Sequence, residues 1–147
     1  MVAREVDFPP IWLAAFAFAG AVVGLFLPIH VPYAVEAGGV LVALALLIMM
    51  IAVVQMLAAR TTVIPGRDPQ QMLTRGLFRL SRNPIYLADA LLLTGLYIYW
   101  GAWVALPLVP AFMYLIFKRF ILGEEDRLLR LFGEDYLDYK FQTRRWI

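Results

Sequence analysis

Between Asp89 and Lys118 the chain runs for 28 residues, Ala90–Phe117, without a charged side chain. Two further stretches of this kind precede it. Ile11–Leu27 holds 17 residues with no charge, and Ala37–Ala59 holds 23 with Gln55 as its only strongly polar member. A helix needs about 20 apolar residues to cross the hydrocarbon core of a bilayer. Hydrophobic residues make up 63% of the 147 and charged ones 16%, far more apolar surface than so small a globule can hide. A soluble enzyme, a disordered chain and a nucleic-acid-binding module are excluded. The chain reads as an all-α integral membrane protein.

The basic residues set the topology. Arg4 alone precedes the first apolar stretch. Arg60, Arg67, Arg75, Arg79 and Arg82 follow the second, and seven Lys and Arg lie from Lys118 onward. The segment 28–36 (PIHVPYAVE) has none. Loops rich in Lys and Arg stay cytoplasmic, so both basic segments belong on one side and Ala90–Phe117 must cross an even number of times. A hairpin follows, with its turn near Tyr97–Trp103, where Gly101 can break the helix. Four spans are expected, over 10–27, 36–59, 84–99 and 103–122, in a single membrane domain. Both termini and the segments 60–86 and 118–147 then face the cytoplasm.

Local detail refines this layout. Gly20 and Gly24 form a GxxxG face suited to close helix packing. Tyr97, Tyr99, Trp100 and Trp103 read as an interfacial aromatic belt. Pro107 and Pro110 are expected to kink the fourth span. No small-residue cleavage site follows the first apolar stretch, which reads as an uncleaved anchor. Beyond the fourth span, EEDRLLRLF (124–132) is amphipathic and Gly133 offers a helix C-cap. The aromatics Phe120, Phe132, Tyr136, Tyr139, Phe141 and Trp146 argue that residues 118–147 dock on the bundle or the membrane surface.

The residues richest in chemistry are SRNPIYLADALLLTG, 81–95. Asn83 reads as an N-cap and Pro84 as the first helical residue. Arg82, Tyr86 and Asp89 then follow at i, i+4 and i+7 on one face. A carboxylate inside an apolar helix is costly, so Asp89 is a functional candidate; its structural alternative is a packing pair with Arg82 or Arg79. The second candidate is Glu124–Glu125–Asp126, whose plain alternative is a solvated patch balancing Lys118 and Arg119. The hairpin returns this cluster to the membrane face that carries Arg82, Asn83 and Tyr86. A zwitterionic, partly cationic ligand fits there, with donors for a carboxylate, acids for an ammonium or hydroxyls, and a ring for a cation. Adjacent residues on a helix point about 100° apart. One glutamate therefore faces the ligand and the other faces solvent or a basic side chain; Glu125 is favoured for the ligand.

Other chemistries lack parts. The chain has no cysteine, and its one histidine, His30, belongs to the outer loop. No metal site of His and Cys can form. Neither GxGxxG nor a P-loop is present. Asp89 and Glu36 are too few charges for an ion pathway.

In order along the chain stand R-N-P-x-Y at 82–86, the apolar hairpin, Glu124–Glu125, FGEDY at 132–136, Tyr139 and RRWI at 144–147. This pattern resembles the isoprenylcysteine carboxyl methyltransferase family, and the related phospholipid methyltransferases share it. The upstream TTVIPG (61–66) and TRGLFRLS (74–81) are similar to bacterial members, which implies a bacterial cytoplasmic membrane. The resemblance implies an S-adenosylmethionine-dependent methyltransferase with Arg82, Asn83, Pro84, Tyr86, Glu124 and Glu125 at the cofactor, and with the cytoplasmic segments 60–86 and 118–147 supplying the elements of its site. Asn83 stands where eukaryotic members have histidine, Leu77 where proline is frequent, and Ala88 where glycine is frequent. Methyl transfer from a sulfonium needs alignment and a shielded site rather than a metal. The lipophilic acceptor, an isoprenylcysteine-type carboxylate or a lipid head group, would enter from the bilayer. Asp89 is then a candidate catalytic residue, and Arg144 or Arg145 would hold an anionic group of the acceptor. Lack of a cytoplasmic histidine favours a carboxylate acceptor, with Asp89, Glu124 or Glu125 still open as a base for an amine. The rival readings are a reductase-like membrane enzyme using NADPH and a non-catalytic membrane subunit.

Overall fold

The computed structural model of the chain describes residues 8–61 and 67–147. Arg4 and residues 62–66 of the TTVIPG segment lie outside the described residues. Among these there are seven α-helices and no strand: α1 (Pro9–Phe26), α2 (Ala34–Ala58), α3 (Leu77–Leu80), α4 (Pro84–Tyr99), α5 (Leu108–Ile116), α6 (Leu122–Phe132) and α7 (Glu134–Gln142). The protein is an all-α integral membrane protein. α1, α2 and the continuous run Trp103–Phe132 are each long and apolar enough to cross a membrane, and α4 is a shorter apolar helix.

α4 can be short because it is the centre of the bundle. It packs against α2 along its length and also touches α1 and α5. Association between membrane helices depends on close backbone approach, which small residues permit. On α2 those residues recur every seven positions: Gly38, Ala45 and Ala52 are all buried. Gly95 on α4 answers them. A Cβ on Gly38 would stand 2.7 Å from the Gly95 carbonyl oxygen, and one on Gly95 would meet the backbone of Val42 and Gly38. The expected GxxxG face is used on the other side of α4. Gly20 leaves room for the Tyr97 ring and Gly24 for the Trp100 backbone.

Tyr97 therefore departs from the expected aromatic belt. It is fully buried, and its hydroxyl donates to the Phe16 carbonyl oxygen of α1 at 2.7 Å. The turn after α4 passes through Gly101, whose φ of 67° favours glycine, and the Gly101 carbonyl accepts the Ile29 N–H from the α1–α2 loop. A 3-10 turn, Trp103–Ala105, leads into α5.

The prolines do not kink the fourth span as expected. Pro107 caps α5 and Pro110 lies in its first turn, where a missing N–H breaks no ladder bond. The irregularity comes later, as a π-helical turn over Phe117–Ile121. Its effect is a change of register. Phe112, Ile116, Ile121 and Glu125 are the buried positions, spaced four, five and four apart. A regular α-helix would have turned Phe120 and Glu124 inward instead. The π turn thus decides which carboxylate points where.

Candidate functional site

The residues after α6 fold back under the bundle. Gly133, with φ of 55°, ends α6 and begins α7. Tyr136 and Tyr139 on α7 are buried, Trp146 packs against the core, and Phe141 alone of the expected docking aromatics stands almost fully exposed. The Tyr139 hydroxyl donates to the Phe78 carbonyl of α3. Burial raises the Tyr139 hydroxyl well above an ordinary tyrosine, so it stays a proton donor. Burial and the Glu125 charge raise Tyr136 too, against the opposing pull of Arg82.

The segment 143–147 is tied to the start of α4. The Arg145 carbonyl accepts from the Ser81 hydroxyl and from the Asn83 side-chain amide, both at 3.2 Å. The Arg144 carbonyl accepts the Arg82 N–H at 3.0 Å. Asn83 does stand at the N-cap of α4, but its side chain makes no capping bond. The Arg145 carbonyl has claimed its amide instead, and the Ser81 hydroxyl oxygen takes the Asn83 backbone N–H.

The two glutamates diverge, as adjacent helical residues must. Glu124 accepts the Tyr86 hydroxyl at 2.9 Å. Glu125 is buried among cations: Arg145 grips it through Nε at 2.8 Å and Nη2 at 3.0 Å, with Arg82 at 3.5 Å and Lys140 at 3.9 Å. The Glu125 hydrogen bond, helped by its charge, raises Arg145 above an ordinary arginine. The Arg145 guanidinium also lies 4.6 Å from the Phe117 ring centroid, a cation–π geometry.

Arg82, Asn83, Pro84, Tyr86, Asp89, Glu124 and Glu125 all line one cavity of about 480 Å³, a ligand-sized volume. Arg144 and Arg145 do not line it. The Arg144 side chain is exposed and that of Arg145 is engaged by Glu125. Asp89 is 5% exposed and has no hydrogen bond or ion pair among the described residues; the expected pair with Arg82 or Arg79 is not formed. Arg82 donates through Nη1 to Tyr136, yet its buried Nε has no hydrogen-bond partner among the described residues. One cavity wall is polar and the other apolar, the latter built by Pro9 and Leu13 of α1 and Met49, Val53 and Met56 of α2.

A sequence model of the phospholipid methyltransferase family matches residues 33–135. The chain belongs to the phospholipid methyltransferase family. No curated protein and no solved structure matches the chain. The matched region takes in every cavity-lining residue named above except those of α1, Tyr136 and Tyr139. Family membership establishes a methyltransferase of the membrane, with lipids as its substrate class.

The sequence alone did not single out the α2 wall; within the segment 60–86 it named only Arg82, Asn83, Pro84 and Tyr86, whereas Arg67, Gln71 and Met72 of 67–73 also line the cavity. That segment is held by the Thr61 hydroxyl, which donates to the Gln71 carbonyl, and by Asp68, 3.4 Å from Arg127. A signal for the wall existed: the seven-residue spacing of Gly38, Ala45 and Ala52 fixes which face of α2 meets α4.

Proposed function

We propose that the protein transfers a methyl group from S-adenosylmethionine to the amine of a lipid head group. The observation that carries this reading is the Asp89 carboxylate, without a partner among the described residues, in the wall of a cavity that is apolar on one side and charged on the other. S-Adenosylmethionine supplies an electrophilic methyl group on a sulfonium. The residues that fit it are those at the polar wall. Arg82, with its orphaned Nε, suits the cofactor's carboxylate, and the Glu124–Tyr86 pair suits its ammonium or ribose hydroxyls. Glu125 acts behind them, keeping Arg82 in place.

Asp89, which has no cationic partner among the described residues, favours an amine over a carboxylate as acceptor. A second carboxylate beside it in a poorly solvated cavity is repelled, whereas an ammonium is attracted. Asp89 takes the ammonium proton, freeing the nitrogen lone pair. S-Adenosylmethionine bound at the polar wall would supply its methyl group to that nitrogen and would leave as a neutral thioether. The apolar wall of α1 and α2 receives the lipid chains.

Calorimetric titration of the protein in detergent is expected to give saturable heat with S-adenosylmethionine and none with NADPH. Methylated phosphatidylethanolamine should then accumulate when both substrates are supplied in bilayers. Binding of NADPH alone would transfer the site to the reductase class, and binding of neither would leave a non-catalytic subunit.

The basic segments support a cytoplasmic site. Cysteines introduced for Val31 and Val104, both exposed at the far end of the bundle, are expected to react with an impermeant reagent added outside cells. Cysteines for Gln71 and Gln142 are expected to stay unlabelled until the cells are opened. Outside labelling of the Gln142→Cys variant would invert the orientation.

A further inference from the structure

Gln55 is the one strongly polar residue in the apolar stretch of α2, and it lies apart from the cavity. A side-chain amide at such a position is costly unless its hydrogen bonds are made. Its Oε1 accepts the Leu77 N–H at 3.2 Å, from a residue 22 positions away. Leu77 opens α3, so its N–H has no carbonyl within the helix to receive it, and Gly76 before it has no side chain to do so. α2 therefore caps α3 from outside. The fit favours glycine at position 76. A Cβ there would collide with the Gln55 amide, and its φ of 62° is unfavourable to other residues.

What α3 carries gives the contact its consequence. The Phe78 ring lines the cavity and the Phe78 carbonyl anchors Tyr139. The Arg79 carbonyl accepts from Thr143 at 3.4 Å. Directly after α3, the three residues Ser81–Asn83 lead into α4, so that Arg82, Asn83 and Tyr86 all follow closely on it. The position of the whole polar wall thus depends on where α3 is pinned. Next to Gln55 on α2, Met56 and Val53 belong to the apolar wall. One side chain joins the two halves of the cavity.

We propose that Gln55 is a positioning residue that sets the cofactor-binding wall from the lipid-facing helix, through its cap on α3 and the glycine seat at position 76. The inference rests on the S-adenosylmethionine reading of the cavity. Gln55→Met keeps the length of the side chain and removes the acceptor. Loss of one such hydrogen bond corresponds to about three- to tenfold in affinity. In lipid nanodiscs, Gln55→Met is expected to weaken S-adenosylmethionine binding by that factor and to speed amide exchange across residues 77–80. With phosphatidylethanolamine as acceptor, the KM for S-adenosylmethionine should rise while kcat at saturation stays within about twofold. Gly76→Ala, which displaces the same amide and also strains the backbone at a φ of 62°, should lose at least as much affinity, and the double variant should be no worse than Gly76→Ala alone. Wild-type affinity and exchange in folded Gln55→Met, or strictly additive losses in the double variant, would overturn the inference alone. A wild-type protein that binds no S-adenosylmethionine would overturn both it and the reading on which it rests.

Discussion

Asp89→Asn is expected to lower the rate of methyl transfer to a lipid amine by about 10²- to 10⁴-fold, the usual contribution of a positioned general base. The substitution is close to isosteric. Asp89 makes no ion pair or hydrogen bond among the described residues that asparagine would break, so the melting temperature in detergent should hold or rise slightly. A packing carboxylate predicts the reverse, with stability falling first and turnover per folded molecule preserved. S-Adenosylmethionine affinity separates a third outcome. If binding falls in step with turnover, Asp89 holds the cofactor rather than the acceptor. The rate effect should also shrink at alkaline pH, where a larger fraction of the lipid amine is already deprotonated in solution. A rate loss independent of pH would remove the proton-transfer role.

The sequence makes the spans legible because membrane crossing depends on length and apolarity, both local quantities. Predicted helices over 10–27, 36–59 and 84–99 compare with α1 at Pro9–Phe26, α2 at Ala34–Ala58 and α4 at Pro84–Tyr99. The hairpin was equally legible, since Gly101 is the residue that the turn requires. Where the reading fails, the deciding quantity is not local. Tyr97 looks like a belt residue until Gly20, on another helix, makes a slot for its ring. Asn83 looks like a capping side chain until the Arg145 carbonyl competes for its amide. Pro107 and Pro110 look like kinks until the helix is seen to begin at them.

The candidate site divides in the same way. The i, i+4, i+7 spacing of Arg82, Tyr86 and Asp89 puts all three on one face, and all three line the cavity. The roles of Glu124 and Glu125 could not be read so directly. An extra residue in the π turn rotates everything after Ile116 by about 100°, the angle per residue of an α-helix. Periodicity assumes a constant angle, so it cannot assign a carboxylate downstream of such a turn. The Gln55 contact is legible only in part: the sequence marks the residue as out of place without naming its partner.

The glutamates should consequently fail in different ways when altered. Glu125 is 10% exposed at its side chain and Arg82 is 8% exposed, so Glu125→Gln strands a buried guanidinium. Removing one partner of a buried pair costs about 3–5 kcal/mol. Arg145 and Lys140 are partly open to solvent, at 30% and 44%, and water can compensate them, which puts the expected loss near the lower end, about 3 kcal/mol. For a chain of this size that is roughly 6–12 °C in melting temperature. Arg145→Met should cost less, because Arg82 and Lys140 still neutralise Glu125. The double variant should be more stable than the sum of the two losses predicts, by about 1–3 kcal/mol of coupling. Glu124→Gln should leave the melting temperature nearly unchanged, since Tyr86 can donate to the amide oxygen as well. Its effect should fall on S-adenosylmethionine, whose affinity is expected to drop about ten- to hundredfold with the loss of a charge-assisted contact. Unchanged affinity in folded samples of both Glu124→Gln and Glu125→Gln would remove the acidic pair from the cofactor site. Wild-type melting in Glu125→Gln would show that the segment 143–147 is held by its carbonyl contacts to Ser81, Arg82 and Asn83 alone.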